Sequence, residues 1–442
     1  MLPQFREVGT IARVRPPTNP LIAVFAALAL LAAACSSDAE PTTTTAPPPT
    51  TTLAPATTTT TTTTAAPTTT AGPAQYLVAD EMPPQLAKTL TGLYSWWVDD
   101  RNPKPTNVAK GLLTVVESTE PPAEPAQQAY AVVNALETGE RVAVAHVDDD
   151  VWFAIDSGNG WKLAGVDLAA ADPWLGEEPR FLFVIGSDAR VGENQERLRA
   201  DSLHIVSLVP SAGEGAIVGF PRDSYIDGAI ITAANETTGL PAGDLPGGGI
   251  KWTSLMAGRG PAIMRDTARE LTGIPLEGYI VTGFEGYDNL IETLGSLVID
   301  LPSTMRSGNT WPDFPAGLQT LTPKRALELA RIRKGLSGGD FTRSLNQGRI
   351  MLAAMDMIQD LGIDALPQLF EALTNETFTD MSMEDLYTFS AGAFLFEPDT
   401  LVNMVIPGAP GRVGPSSVVF ISDDAEDVYR DLDDGLLDET DG

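Results

Sequence analysis

The chain has 442 residues, of which 59 are acidic and 28 are lysine or arginine, so its formal net charge is −31 at pH 7. A chain this acidic lacks the basic surface that supplies most of the affinity in general nucleic-acid binding, and nucleic acid is therefore excluded as a partner. Hydrophobic residues make up 43% of the sequence, which is enough for the cores of about two or three folded units.

Residues 1–34 have the pattern of a lipoprotein signal peptide. Three arginines precede the apolar run LIAVFAALALLAAA, which is too short to span a membrane comfortably and suits the core of a signal peptide. The run ends at Cys35, the only cysteine, and a lipid on Cys35 would anchor the mature chain to the outer face of the cell membrane. An ordinary cleaved signal and an uncleaved membrane anchor are the alternatives, and all three export the rest of the chain.

Residues 35–74 are dominated by threonine and proline and show no apolar period. Such a composition cannot pack a core and predicts a disordered, extended stalk. At roughly 3 Å per residue, a stalk of this length reaches on the order of 100 Å. A folded domain on this stalk could therefore work in the cell wall, outside the cytoplasm, while its anchor stays in the membrane.

Residues 75–176 are predicted to form a small accessory α+β domain. The segment MPPQLAKTLTGLYSWWV has helical spacing. The segment RVAVAHVDDDVWFAIDSGNGWKLAGV is typical of two or three strands with a hairpin turn at DSGNG. No group of chemically reactive residues stands out in this part of the sequence.

Residues 177–422 alternate between predicted strands and helices. Apolar strands are indicated in FLFVIGSDAR, DSLHIVSLVP, GAIVGFPRD and EGYIVTGF. One helix is expected to close at Gly273, a second to begin with Thr322 as N-cap and Pro323 at its first position, and a third to fill FTRSLNQGRIMLAAMDMIQDLG. This order predicts an α/β fold, a layered α-β-α domain with a central mixed sheet, and residues 423–442 are interpreted as an acidic tail.

Charged residues recur in pairs at the ends of these apolar elements. Residues two apart share one face of an extended stretch. Three pairs have this spacing, namely Asp188 with Arg190, Arg199 with Asp201, and Arg331 with Arg333. The last pair, in LELARIRKGL, is interpreted as one face of a strand that grips an anion, with a solvated strand edge as the alternative.

Two further groups of charged and polar residues extend this pattern. In GGDFTRSLNQ, Asp340, Arg343 and Gln347 have the spacing of one stripe on a helix. Arg222 and Asp223 follow Pro221, which stiffens the loop that presents them.

The chemistry of these groups points to a diphosphate with its metal ion. The guanidinium of arginine offers a planar fork of donors that matches phosphate oxygens and keeps its charge at any working pH. Carboxylates placed among arginines suit Mg²⁺, which prefers one or two carboxylates completed by water and phosphate oxygens. The sequence therefore predicts a Mg²⁺-assisted site for a diphosphate.

Other catalytic classes lack their residues. The chain has two histidines, and His204 lies in an apolar run, so it is interpreted as a packed residue and a Ser-His-Asp hydrolase is disfavoured. There is no cysteine nucleophile besides the predicted lipidation site. No phosphate-binding loop of the GK[ST] type is present, and GLPAGDLPGGGIKW is interpreted as a flexible rim loop.

The same segments resemble a known family. The stretches FLFVIGSDAR, RADSLHIVSL, VGFPRDSYI, GYIVTGFEGYDNLIETLGSLVIDLP and ALELARIRKGLSGGDFTRSLNQGRI come in the order and spacing of the LytR-CpsA-Psr proteins. The resemblance is close from about Phe181 to Gly362 and looser to about Ser422. The chain departs from the family's usual pattern after Lys251, where Thr253 stands in place of Asn, and after Arg343, where Asn346 and Gly348 replace Arg and Gln.

The resemblance implies a phosphotransferase that moves a glycopolymer from a polyprenyl-diphosphate carrier to peptidoglycan and forms a phosphodiester. By motif position, Asp188 and Asp201 look like the Mg²⁺ carboxylates. The expected diphosphate ligands are Arg199, Arg222, Arg331, Arg333 and Arg343. Asp340 and Gln347 look like supporting partners, and Arg190 and Asp223 are added to the substrate-binding set because of their pairing.

Two other functions remain open at this point. A polyprenyl-diphosphate phosphatase would use the same diphosphate site with water as the acceptor. A non-catalytic wall-binding lipoprotein would need neither the carboxylates nor the arginines, so their presence argues against it. Transcriptional attenuation is the weakest interpretation, since an exported acidic protein does not meet DNA.

Overall fold

The computed structural model describes residues 82–238, 248–308, 310–333, 336 and 338–437. The predicted signal peptide, Cys35, the Thr/Pro stalk and most of the predicted rim loop lie outside these residues. Among the helices that are described, none is both long and apolar enough to cross a membrane.

The N-terminal unit is a four-stranded antiparallel meander with two helices. Its elements are α1 (Pro84–Val98), α2 (Leu112–Ser118), β1 (Ala129–Ala135), β2 (Arg141–Val147), β3 (Asp150–Asp156) and β4 (Trp161–Asp167), with the strands in the order β1-β2-β3-β4. The expected hairpin turn at DSGNG connects β3 to β4. Helices α1 and α2 cover one face of this sheet, and Trp152 and Leu163 contribute to the core between them.

The other face of the meander packs on the second unit. Val144, Phe153 and Ala164 belong to a core that also contains residues of the C-terminal helices α9 (Leu366–Glu376) and α10 (Met383–Leu395). Polar contacts close the rim, and the Lys162 ammonium donates to Glu384 at 2.8 Å. The small sheet is therefore buried on both faces, and the two units share one hydrophobic core.

The second unit is built on a six-stranded mixed sheet. Its strand order is β13-β10-β5-β6-β7-β14, in which β5 lies parallel to β10, β7 lies parallel to β14, and the other pairs are antiparallel. The strands are β5 (Arg180–Ser187), β6 (Ala200–Val209), β7 (Glu214–Gly219), β10 (Gly278–Thr282), β13 (Phe378–Thr379) and β14 (Leu401–Val405). Two-stranded ribbons pair β8 (Tyr225–Asp227) with β9 (Gly249–Lys251), β11 (Leu297–Leu301) with β12 (Gly317–Leu321), and β15 (Gly408–Val413) with β16 (Ser416–Ile421).

Helices cover both faces of this sheet. On one side lie α3 (Gly228–Thr238), α4 (Trp252–Arg259), α5 (Pro261–Thr272) and α11 (Ala425–Asp431). On the other lie α6 (Phe284–Thr293), α7 (Pro323–Arg331), α8 (Asp340–Gln359), α9 and α10. Along β5, Phe181 and Phe183 enter the first core whereas Leu182 and Val184 enter the second, as the two-residue period of a strand requires. The predicted layered α-β-α fold with a mixed sheet is confirmed.

Local signals place several helix ends correctly. The Thr322 side chain accepts a hydrogen bond from the Arg325 N–H with Pro323 at the first helical position of α7, as predicted. Gly273 ends α5 at φ +76°, a left-handed conformation that glycine adopts without a steric penalty.

Two predictions about chain segments need correction. Arg331 is the last residue of helix α7, and Ile332 and Arg333 after it belong to no strand, so Arg331 and Arg333 do not share the face of a strand. The segment 423–442, interpreted as an acidic tail that follows the α-β-α domain, contains α11, whose Val428 and Tyr429 are buried in the core beneath the sheet. The second unit therefore continues well beyond residue 422.

Candidate active site

The charged pairs meet at one edge of the central sheet, where β5 and β7 end and β6 begins. Asp188 directly follows β5, Asp201 is the second residue of β6, and Arg222 lies three residues after β7. The antiparallel register of β6 with both neighbours brings these positions together, since Ser187 pairs with Ala200 and the Phe220 N–H donates to the Leu203 carbonyl at 2.9 Å.

Asp201 and Arg222 form a buried ion pair at the centre of this edge. The Thr253 hydroxyl, in the first turn of α4, donates to the same carboxylate at 3.4 Å. Burial raises the pKa of the Asp201 carboxyl, the nearby Asp188 raises it further, and the guanidiniums of Arg222 and Arg343 oppose this rise. Asp201 is therefore a carboxylate that needs neighbouring positive charge to stay ionised.

Arg343 is buried beside this pair. It lies in the first turn of α8, is 1% exposed, and forms an ion pair with Asp340 one turn earlier on the same helix. Its Nε and Nη1 atoms are buried and have no hydrogen-bond partner among the described residues. Burial lowers the pKa of the guanidinium, and Asp340 opposes this effect. A buried donor left without an acceptor costs about 1–3 kcal/mol, so this position is built to receive acceptor atoms.

Asp223 pairs with two more cationic side chains at the same edge, those of Lys251 and Arg333. Its carboxylate accepts from Lys251 Nζ at 3.2 Å and from Arg333 Nη2 at 2.9 Å, and its backbone N–H points to Asp340 at 3.4 Å. Burial alone would raise the pKa of Asp223, but the charges of Lys251, Arg222 and Arg333 hold this pKa below its usual value. Lys251 was not assigned a role from the sequence, although its position matches a lysine that the LytR-CpsA-Psr pattern commonly contains.

Asp188 and Arg199 close the outer side of the edge. Asp188 accepts from the Arg199 backbone N–H at 2.9 Å and from its Nε at 2.8 Å, while the Asp188 N–H donates to the Arg199 carbonyl at 2.9 Å. The Arg199 side chain is half exposed. Arg190 is exposed on the loop beyond Asp188, where its backbone N–H donates to Glu193 at 2.8 Å.

Gln347 ties the sheet to the end of α7. It accepts from the Ser202 hydroxyl at 3.0 Å and donates to the Ala330 carbonyl at 3.1 Å, so the residue before Arg331 is held against β6. The stripe of Asp340, Arg343 and Gln347 predicted from their spacing thus exists on α8, and all three face the sheet edge. His204 is fully buried with a pKa lowered to about 4 by burial, as expected for a packed histidine.

Arg331 packs against two aromatic rings near the end of β5. Its guanidinium carbon lies 4.8 Å from the ring centroid of Phe284 and 5.6 Å from that of Trp311. Phe284 starts α6, and its N–H donates to the Ala189 carbonyl at 3.0 Å, next to Asp188. The Arg331 side chain therefore lies against α6, whereas the Arg333 side chain pairs with Asp223.

Asp188 and Asp201 are candidate ligands for a metal ion that needs few protein ligands. No group of three or more potential ligands among histidine, cysteine, aspartate and glutamate is present in the described part of the chain. Asp188 and Asp201 are close enough for the charge of Asp188 to raise the pKa of Asp201. A divalent cation would relieve that repulsion, and Mg²⁺ accepts a site of two carboxylates completed by phosphate and water oxygens. The donor set therefore fits Mg²⁺ bound together with a phosphorylated ligand.

Comparisons with known proteins locate this edge within a shared segment. The profile of the LytR_cpsA_psr family matches residues 163–430. The "polyisoprenyl-teichoic acid–peptidoglycan teichoic acid transferase TagU" of Oceanobacillus iheyensis is 27% identical over 210 residues, which is 47% of this chain and 60% of the relative. The TagV enzyme of the same description from Bacillus subtilis is 25% identical over 290 residues, which is 64% of this chain and 69% of the relative.

A solved structure gives a similar extent of overlap. The crystal structure of B. subtilis TagV superposes with a TM-score of 0.47 at 21% identity and covers 58% of this chain and 96% of the TagV chain. The segment matched by the family profile contains every charged residue at the sheet edge, whereas most of the N-terminal unit precedes it.

Proposed function

This chain belongs to the LytR-CpsA-Psr family, and from that premise we propose that it is an extracytoplasmic phosphotransferase that moves a glycopolymer from a polyprenyl-diphosphate carrier to peptidoglycan. The proposal rests on the buried hydrogen-bond donors of Arg343. Its buried Nε and Nη1 atoms have no acceptor among the described residues, and the anionic oxygens of a diphosphate would supply several.

The cationic side chains around Arg343 lie on different sides of the proposed diphosphate site. Arg222 and Arg343 lie at the buried end, Lys251 and Arg333 on the Asp223 side, and Arg199 on the open side of the edge, while Arg331 lies against Phe284 at the start of α6. Their side chains are held by carboxylates or aromatic rings before any ligand arrives. Such preorganised positive charge stabilises the charge that develops on a departing phosphate, at little cost in reorganisation.

Mg²⁺ held by Asp188 and Asp201 would supply further charge neutralisation at the phosphate oxygens. In the proposed transfer, the oxygen of a peptidoglycan hydroxyl bonds to the phosphorus that carries the glycopolymer, and the hydroxyl proton ends on the departing phosphate. The bond from this phosphorus to the bridging oxygen breaks, and polyprenyl monophosphate leaves. The arginines orient both phosphates, while Asp340 and Gln347 hold Arg343 and the end of α7 in place.

The N-terminal sequence supports where this reaction takes place. A lipid on Cys35 and the Thr/Pro stalk would present the folded units to the wall from the membrane surface. We propose that the chain is exported and lipid-anchored, and that Cys35→Ser releases it from the membrane fraction and abolishes labelling by a lipid precursor. Retention of both in the variant would contradict the anchor.

The transfer itself is tested with purified protein, a polyprenyl-diphosphate-linked glycopolymer, Mg²⁺ and soluble peptidoglycan strands. We expect a product in which the glycopolymer is joined to the strand by a phosphodiester, and no product with Arg343→Met. Arg412→Ala, on the exposed ribbon of β15 and β16, is the matched control and should react like the wild type. Release of free glycopolymer phosphate at the same rate with and without peptidoglycan would instead identify a phosphatase.

A further inference from the structure

The N-terminal unit contains a polar cleft that shares no residue with the sheet edge described above. It has a volume of about 770 Å³ and is bounded by the start of α1, the loop at residues 105–107, and the β1–β2 and β3–β4 turns. Its walls belong to a unit that the sequence left without a role.

The walls offer exposed hydrogen-bonding groups that no other described part of the chain uses. The side chains of Gln85, Thr106, Asn107 and Asn159 make no hydrogen bond with any described residue. Each amide supplies both donors and acceptors, and the hydroxyl supplies one of each kind. This combination matches the alternating donors and acceptors of sugar hydroxyl groups.

The cleft is also locally basic in an acidic chain. Lys88 is exposed and forms no ion pair within the described residues, and Arg141 lines the opposite wall. Asp156 is the only carboxylate among the lining residues. Two cations against one carboxylate favour an anionic ligand, although the chain as a whole carries a net charge of −31.

One wall of the cleft is held in place by contacts within the chain. Arg141 lies 5.1 Å over the ring of Trp161 and pairs with Asp156. Asp156 accepts from the backbone N–H groups of Gly158 at 2.9 Å and Gly160 at 3.0 Å, which fixes the β3–β4 turn. The Trp161 Nε1 atom is buried without a hydrogen-bond partner among the described residues. A prebuilt site loses little conformational entropy on binding.

We propose that this cleft binds an anionic oligosaccharide, with its sugar hydroxyls on the amide side chains and its carboxylate or phosphate on Lys88 and Arg141. The binding claim stands apart from the proposed transfer, which it would assist by tethering a glycan to the chain that carries the charged sheet edge. Two sources share this chemistry, namely a phosphate-containing glycopolymer and the muramic acid carboxylates of peptidoglycan strands.

The test is calorimetric titration of the exported chain with three soluble probes, poly(N-acetylglucosamine 1-phosphate), peptide-free peptidoglycan glycan strands and neutral dextran. We expect at least one anionic probe to bind and dextran to bind more weakly. Lys88→Glu should weaken that binding at least about tenfold, since a lost charge-assisted contact costs about 1.4 kcal/mol or more. The double variant Asn107→Ala/Asn159→Ala should weaken it as well.

Lys110→Glu is the matched control, because Lys110 is exposed in the same unit and does not line the cleft. Equal losses in Lys88→Glu and Lys110→Glu would show diffuse charge attraction and overturn the proposal, as would equal binding of dextran or no binding of either anionic probe. Arg343→Met separates the two claims, since it should abolish transfer and leave glycan binding unchanged.

Discussion

At the scale of single residues, Asp288 is a partly buried carboxylate that interacts electrostatically with Arg331. It lies one turn after Phe284 on α6, and its buried Oδ1 has no hydrogen-bond partner among the described residues. Burial raises the pKa of Asp288 to about 6, and the charge of Arg331 opposes this rise. The carboxylate is thus an electrostatic neighbour of Arg331 that is maintained at a cost in stability.

We expect Asp288→Asn to change stability in a pH-dependent way. Between the ordinary value of 3.8 and about 6, the folded protein holds a proton that the unfolded chain has released, so stability falls as pH rises through this window. The penalty is fully present above it. The gain in melting temperature from Asp288→Asn should therefore be larger at about pH 7.5 than at about pH 4.

The control for Asp288→Asn is Asp300→Asn on the exposed side of β11. A gain that is the same at both pH values in the Asp288 variant would show that its carboxylate is not destabilised in the folded protein. A loss of transfer activity without a loss of stability in the same variant would indicate that Asp288 orients Arg331.

Arg331 and Arg333 should respond differently to replacement by lysine. Each arginine contributes about 1.5–3 kcal/mol if it bonds to a charged ligand, so either alanine variant should lower the transfer rate by about 10- to 200-fold. Arg333→Lys keeps a charge beside Asp223 and should recover part of the rate. Arg331→Lys loses the flat guanidinium that lies between Phe284 and Trp311 and should recover less.

The measurement for both positions is the transfer rate beside affinity for polyprenyl diphosphate and melting temperature. Unchanged affinity in the Arg331→Ala/Arg333→Ala double variant would defeat their assignment as diphosphate ligands. Changes of stability without changes of affinity would identify them as structural.

At the scale of elements, the packing of α8 on β14 accounts for one departure from the family's usual pattern. A Cβ added at Gly348 would lie 2.0 Å from Asn403 Oδ1, and Asn403 donates to the Leu345 carbonyl at 3.1 Å. The Asn403 side chain therefore occupies the space that the glutamine commonly found at position 348 would need. Helix α8 also carries Arg343.

We expect Gly348→Ala to destabilise the fold by about 1–3 kcal/mol, as overpacking usually does, and to lower the transfer rate by tilting α8. Gly92→Ala in α1 is the control, because nothing lies within 4 Å of its added Cβ and alanine favours a helix. The comparison uses melting temperature and transfer rate. If Gly348→Ala is as well tolerated as Gly92→Ala, α8 has room to shift.

Elements whose signals are local were predictable from the sequence. The caps at Thr322 and Gly273 depend on neighbouring residues, and the strands were visible as apolar runs because both sheet faces are buried. The end of α7 was not predictable from the sequence. Arg331 and Arg333 flank one isoleucine whether the stretch is helical or extended, so their spacing does not distinguish the two conformations. The cradle of Phe284 and Trp311 depends on contacts between distant segments, and no spacing in the sequence reports them.

At the scale of the whole molecule, the shared core predicts one cooperative unfolding transition. Val144 and Phe153 of the N-terminal sheet pack in the same core as α9 and α10, and Phe153 meets the Tyr387 ring edge-on with centroids 6.4 Å apart. Phe153→Ala should therefore cost about 3–5 kcal/mol and lower the melting temperature of both units together. Calorimetry with two separate transitions in this variant would contradict a common core.

The same shared core has a mechanical consequence. A chain held at residue 82 and pulled at residue 437 carries the load from α1 into the small sheet and then directly into α9 and α10, since no linker separates the units there. The N-terminal unit therefore cannot unfold first and absorb the load by itself. If this end of the chain is tethered while the charged edge holds a growing wall polymer, tension between membrane and wall is delivered to the scaffold of the site itself.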